Sequence, residues 1–236
     1  AYTDYSPDQE KHYLELSSAE RSLLKEAREC FSKVIVLVNT SNAMELGFLE
    51  EYDVDAALWI GSPGDVGMKA VAGVLCGRIN PSGRTVDTYP YMVEAIPSYY
   101  NFGEFAYTNS ADCFNRKKDQ PQTAFLVNYE EGIYVGYRYF ETRDRFNIIS
   151  REGEEFRNAA YEEVVQFPFG FGLSYTDFQW EIEDIQIPSV FTIEAEFRVS
   201  VRVTNTGSRE GKDVVQLYYS PPYHEKESRI QKSSVV

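Results

Sequence analysis

The sequence predicts an α/β chain in two parts, a partial doubly wound α/β sandwich layer over residues 1–175 and an incomplete all-β sandwich over residues 176–236. Three observations carry that prediction. Residues 33–39 are a continuous β-branched apolar run, the pattern of a parallel strand covered on both faces. Segments of helical period and a second short apolar run then alternate as far as residue 77. Beyond residue 176 the pattern changes to period-two alternation between turn signals such as Asn205-Thr206-Gly207.

The elements follow in order. Ser17 and Glu20 have capping-box spacing, and Leu23, Leu24, Ala27 and Phe31 recur at helical intervals, so a helix is expected over residues 17–31. After the 33–39 strand, residues 42–51 read as a short helix capped by Ser41 or Asn42, and residues 56–61 as a second buried strand. Residues 66–75 carry helical periodicity, with Asp65 as N-cap and Gly77 as the left-handed terminus. Ligands of such a layer bind outside the carboxyl ends of its strands, here residues 39–41 and 61–64.

Asn80-Pro81-Ser82-Gly83 reads as a tight turn in which Gly83 accepts positive φ, followed by a strand over residues 84–89. Residues 90–130 are a long aromatic loop without period, expected to be ordered. Residues 133–140 alternate like a half-exposed strand. Strands are expected at 178–187, 197–203 and 214–219, in a sandwich of immunoglobulin or fibronectin type III character. About 60 residues remain for it, against the roughly 100 such a sandwich uses, so either unpaired strand edges are expected to join two copies of the chain or the residues after about Tyr219 are expected to be disordered.

Composition narrows the function. A formal charge of −14 repels phosphate backbones and anionic lipid, which argues against nucleic acid and membrane partners. No apolar run approaches the roughly 20 residues of a membrane span, and residues 1–4 have no signal-like pattern, so the compartment is left unspecified. Cys30, Cys76 and Cys113 are widely spaced, which excludes a CxxC site; Cys30 and Cys76 are expected as buried thiols. His12 and His224 lie in polar contexts, so neither a metal nor a cofactor is implied. The 18 Tyr and 15 Phe supply flat faces suited to sugar rings.

Longer motifs point to one family. Gly73 to Arg84 runs a helix into the Asn80-Pro81-Ser82-Gly83 corner, followed by Thr88-Tyr89-Pro90. Two later blocks are Tyr129-Glu130-Glu131-Gly132-Ile133-Tyr134-Val135-Gly136-Tyr137-Arg138-Tyr139 and Pro168-Phe169-Gly170-Phe171-Gly172-Leu173-Ser174-Tyr175-Thr176. In this order they resemble the carboxy-terminal part of glycoside hydrolase family 3, of β-glucosidase type. The resemblance implies a retaining exo-acting hydrolase of β-linked sugars, with two carboxylates roughly 5 Å apart. It also implies that the nucleophilic Asp sits on an amino-terminal barrel and the acid/base Glu upstream of Ser17. No catalytic residue is therefore expected in this chain, and the barrel is its expected partner.

The family's W-x-P-G-Q-E-G-G loop corresponds to residues 59–67, with Asp65 and Val66 in place of Gln and Glu. Ser62, Gly64 and Asp65 are thus candidates to border the sugar pocket, Asp65 competing for that role with its reading as a helix cap. Glu130, Glu131 and the Glu152 to Glu155 cluster read as loop acids, and Arg138 as an ion-pair partner. Two further functions compete: a non-catalytic carbohydrate-binding module, and a nucleotide-binding layer, which lacks a G-x-G-x-x-G or P-loop sequence.

Overall fold

The computed structural model describes residues 13–101, 105–109, 125–126, 132–146, 159–190, 192 and 194–219. The chain divides into two compact units, one of residues 1–62, 85–170 and 218–236 and the other of residues 63–84 and 171–217.

In the first unit, helix α1 (Ser18–Cys30) opens with the expected capping box: Ser17 Oγ accepts from Glu20 N and Glu20 Oε2 accepts from Ser17 N at 2.9 Å. Strands β1 (Ile35–Val38) and β2 (Ala56–Trp59) pair in parallel, with Ile35 opposite Ala56 and Val38 opposite Trp59. Asp55 ties their entrance to α1, accepting from Val34 N at 2.8 Å, Lys33 Nζ at 2.8 Å and Arg28 Nη1 at 3.0 Å. The Lys33 and Val34 hydrogen bonds hold its carboxyl down at about 2.

Val36 and Val38 pack with Leu16, Leu46, Phe48 and Tyr89. The expectation that β1 is covered on both faces is corrected, because Ile35 is 53% and Leu37 37% exposed. The described residues supply a core to one face only. The short helix is also smaller than expected: α2 spans Phe48–Glu51 and begins at Gly47 without a side-chain cap. Ser41 and Asn42 are not its caps, since Thr40 folds its hydroxyl back on Asn42 N at 3.2 Å and Asn42 O at 3.1 Å, an alternative to helix that short polar side chains favour.

Of residues 84–89 only Tyr89 is in a strand, β3 (Tyr89–Pro90), which runs antiparallel to β4 (Val165–Phe167). The strand expected at 133–140 is replaced by helix α4 (Tyr137–Phe146), because Gly136 turns the chain at φ 64 and accepts from Tyr139 N, starting a helical turn. Tyr139 and Phe140 then pack with Tyr134, Val164 and Val165, beside α5 (Tyr161–Val164). Arg138 donates to Ile133 O at 3.3 Å and lies over the Tyr137 ring. The loop of residues 90–130 is described at the 3₁₀ turns Val93–Ala95 and Pro97–Asn101 and at the bridge of Ala106 with Phe125. His12, Cys113, Glu130, Glu131, the Glu152 to Glu155 cluster and His224 lie outside the described residues.

The second unit holds helix α3 (Gly64–Leu75), which ends as expected at a left-handed Gly77, and strands β5 (Phe178–Gln186) and β6 (Arg198–Asn205) in antiparallel register. A bulge at Glu183 resets the alternation, so Trp180, Ile182 and Ile185 face Val203, Val201 and Val199 on one side, while Glu181 and Gln186 face Arg202 and Arg198 on the other. The expected strand at 214–219 is absent: the segment is irregular, with Leu217 71% exposed. Cys30 and Cys76 are exposed rather than buried. Helical period placed both on apolar faces, yet α1 buries none of its residues, and Cys76 lies past the last turn of α3 as its C-cap.

Candidate functional site

At the carboxyl ends of β1 and β2 the ladder is extended by Ile60 N donating to Val38 O at 2.9 Å. The chains then diverge into loops, and Ser41 Oγ and Ser62 Oγ meet at 3.2 Å, either able to be the donor. Gly61 lies between Trp59 and Ser62 with φ 57 and is buried, while Trp59 is 46% exposed. The indole folds back over this glycine: a Cβ on Gly61 would stand 3.2 Å from Trp59 Cη2. A hydroxyl pair and an aromatic ring thus sit at the carboxyl ends of the two parallel strands, the end at which open α/β sheets generally bind ligands.

Of the expected pocket residues, Ser62 joins this cluster and is exposed. Gly64 opens α3 with φ 60, and Asp65 follows it, exposed. The cap role for Asp65 is corrected. The N-cap is Pro63, with no side-chain cap bond, and Asp65 lies inside the first turn, where its charge complements the helix dipole. Ser41 and Trp59 were not singled out as site residues from sequence, although the strand-end rule points to both loops.

Within the second unit, the family-like motifs meet. Asn80 Oδ1 accepts from Ser174 Oγ at 3.0 Å and Tyr175 N at 2.8 Å, while its Nδ2 donates to Glu210 O at 3.1 Å. Asn80-Pro81-Ser82-Gly83 is therefore an irregular stretch, not a tight turn, and Gly83 does not have positive φ. Asp213 pairs with Arg84 and accepts from Trp180 Nε1 at 2.8 Å. Burial pushes its carboxyl upward, but Val214 N–H, Trp180 and Arg84 outweigh that and hold it below the ordinary carboxylate range.

Other described carboxylates serve structural donors. Glu50 Oε1 accepts from Tyr91 OH at 2.8 Å and Gln166 Nε2 at 3.0 Å, and Glu141 accepts from Tyr161 OH at 2.6 Å. Burial, then the Glu141 contact, raises the Tyr161 phenol well above its usual range. Among the described residues no group of three or more His, Cys, Asp or Glu side chains is arranged to hold a metal, and no helix is long and apolar enough to cross a membrane.

Residues 4–137 match the profile of the glycosyl hydrolase family 3 C-terminal domain. The chain belongs to that family. Among relatives of this glycosyl hydrolase family 3 domain, a β-glucosidase of Ruminococcus albus is 34% identical over 209 residues, covering 88% of this chain and 17% of the relative. β-Glucosidase A of Butyrivibrio fibrisolvens is 34% identical over 220 residues, covering 88% of this chain and 22% of its own length. The crystal structure of a β-glucosidase from Paenibacillus barengoltzii superposes with a TM-score of 0.63 at 33% identity, over 85% of this chain and 18% of that one. The family 3 chain described here thus spans about a fifth of the length of these relatives.

Proposed function

We propose that this chain is the carboxy-terminal part of a retaining exo-β-glucosidase that hydrolyses O-glycosidic bonds of β-glucosides or related oligosaccharides, and that the chain alone is inactive. The observation that carries the reading is coverage: relatives named β-glucosidases match along 88% of this chain, while it accounts for 17% and 22% of their length. Retaining hydrolysis needs a nucleophilic carboxylate and an acid/base carboxylate roughly 5 Å apart, and no cofactor. Both are assigned to polypeptide outside this chain, the nucleophile to a barrel domain.

The chain's own contribution is scaffolding and the pocket border, for which Ser62, Gly64 and Asp65 stand at the strand-end loop and the start of α3. Residues 1–175 are read as part of the α/β sandwich domain and 176–236 as the start of a fibronectin type III-like domain. Support for the latter is the amphipathic β5–β6 hairpin, whose exposed apolar face suits a second sheet or a second copy. The coding sequence upstream of Ala1 tests the reading. It is expected to encode a (β/α)8 barrel with an Asp at a strand end, then a Glu-bearing loop; an unrelated upstream sequence contradicts it.

A further inference from the structure

Two features single out Trp59 among the exposed apolar side chains of the β1–β2 sheet. It is the last residue of its strand, and its ring rests on the backbone of buried Gly61, where a Cβ would come within 3.2 Å of Cη2 and 3.3 Å of Cζ2. The other large exposed apolar residues of the sheet, Ile35 and Leu37, are aliphatic and lie earlier along β1. The ring is therefore packed against Gly61 while Trp59 as a residue stays 46% exposed, as an aromatic platform requires.

Next to Gly61, Ser62 holds Ser41 at 3.2 Å. That contact uses one hydroxyl proton of the two, so the pair retains one donor and further lone pairs for a ligand. A π face beside hydroxyls suits a ring that is apolar on its C–H faces and polar at its rim. The charge of −14 selects for a neutral ring over a nucleotide or other anion.

We propose that Trp59, Ser41 and Ser62 form a stacking subsite for a neutral β-linked hexopyranose. It rests on the β-glucosidase reading above and extends it by naming the groups of this chain that touch the sugar.

The chain has two tryptophans, so the indole N–H region of a ¹H–¹⁵N spectrum carries two signals, separable with Trp180→Phe. Titrating the full chain with cellobiose is expected to shift the Trp59 signal saturably, with a dissociation constant on the order of millimolar, and to leave Trp180 in place. Ser41→Ala, an exposed and conservative change, is expected to weaken binding roughly fivefold, and Trp59→Phe to retain it more weakly. Both indole signals static up to about 50 mM sugar, or moving together, overturns the subsite. So does saturation transfer to cellobiose that is unchanged in Trp59→Ala. None of these results bears on the β-glucosidase reading, whose failure shows separately, as an unrelated sequence upstream of Ala1 or as glucoside turnover by this chain alone.

Discussion

Asn80 Oδ1 accepts a 2.8 Å hydrogen bond from the backbone N–H of Tyr175, 95 positions later in the chain. The same oxygen takes the Ser174 hydroxyl, and the amide nitrogen reaches Glu210 O. One side chain therefore ties the segment after α3 to the segment before β5 and to the loop after β6. Two sequence blocks that look independent are the two halves of one polar clamp.

Replacing Asn80 by Ala removes all three bonds and leaves a backbone N–H and a carbonyl without this partner. A loss of about 2 kcal/mol is expected, read as a lower urea midpoint with an unchanged slope. Asn80→Asp keeps the acceptor and loses the donor to Glu210 O, so it is expected to fall between Ala and wild type. An unchanged midpoint for Asn80→Ala contradicts the clamp.

Gly172 is required by close approach. A Cβ there would stand 2.5 Å from Gly83 O and 2.9 Å from Arg84 Cδ, and the first of these is backbone that cannot swing aside. Gly172→Ala is expected to destabilise by about 1–3 kcal/mol, seen as a lower thermal midpoint. Gly64→Ala separates the steric effect from ordinary glycine replacement, since nothing lies within 4 Å of a Cβ there and the cost comes from its φ of 60 alone.

Asp55 sets a pH dependence. Its carboxyl is held at about 2, against an unfolded value of about 3.9, so its ionised form contributes stability that is complete above about pH 4 and is lost as pH falls toward 2. Asp55→Asn is expected to flatten the fall of the thermal midpoint between about pH 4 and pH 2. An identical pH profile for wild type and variant contradicts the assignment.

Besides the strand edges, the β5–β6 hairpin offers an apolar face for self-association. Trp180, Ile182 and Ile185 are 45%, 63% and 53% exposed on the side that also carries Val199, Val201 and Val203. Sedimentation of the full chain is expected to show a concentration-dependent dimer, and Ile182→Lys to shift it toward monomer. A monodisperse monomer at all concentrations contradicts this expectation.

Local grammar was legible and long-range exchange was not. The Ser17–Glu20 box, the β1 run and the Gly77 terminus each depend on neighbours within a few residues, and each appears where its pattern places it. The corner at Asn80 is not legible locally because its partners are 94 to 130 residues away, and those contacts replace the turn's internal bond. Alternation suggested a strand at 133–140, but Gly136 starts a helix that buries Tyr139 and Phe140 as neighbours. In β5, strict alternation fails at Glu183 and Asp184, and only the bulge explains how Ile185 shares a face with Ile182. At the candidate site, the strand-end rule located both loops, while the Ser41–Ser62 contact and the folding of Trp59 over Gly61 required the pairing of β1 with β2.

Incubation of the purified full chain with 4-nitrophenyl β-glucoside most directly tests the claim that this polypeptide is scaffold for carboxylates carried elsewhere. Release of 4-nitrophenol is expected to stay at the rate of a buffer blank across the acidic and neutral range. Turnover above that blank, yielding β-glucose as the first-formed anomer, would contradict it by requiring a complete nucleophile and acid/base pair within these residues.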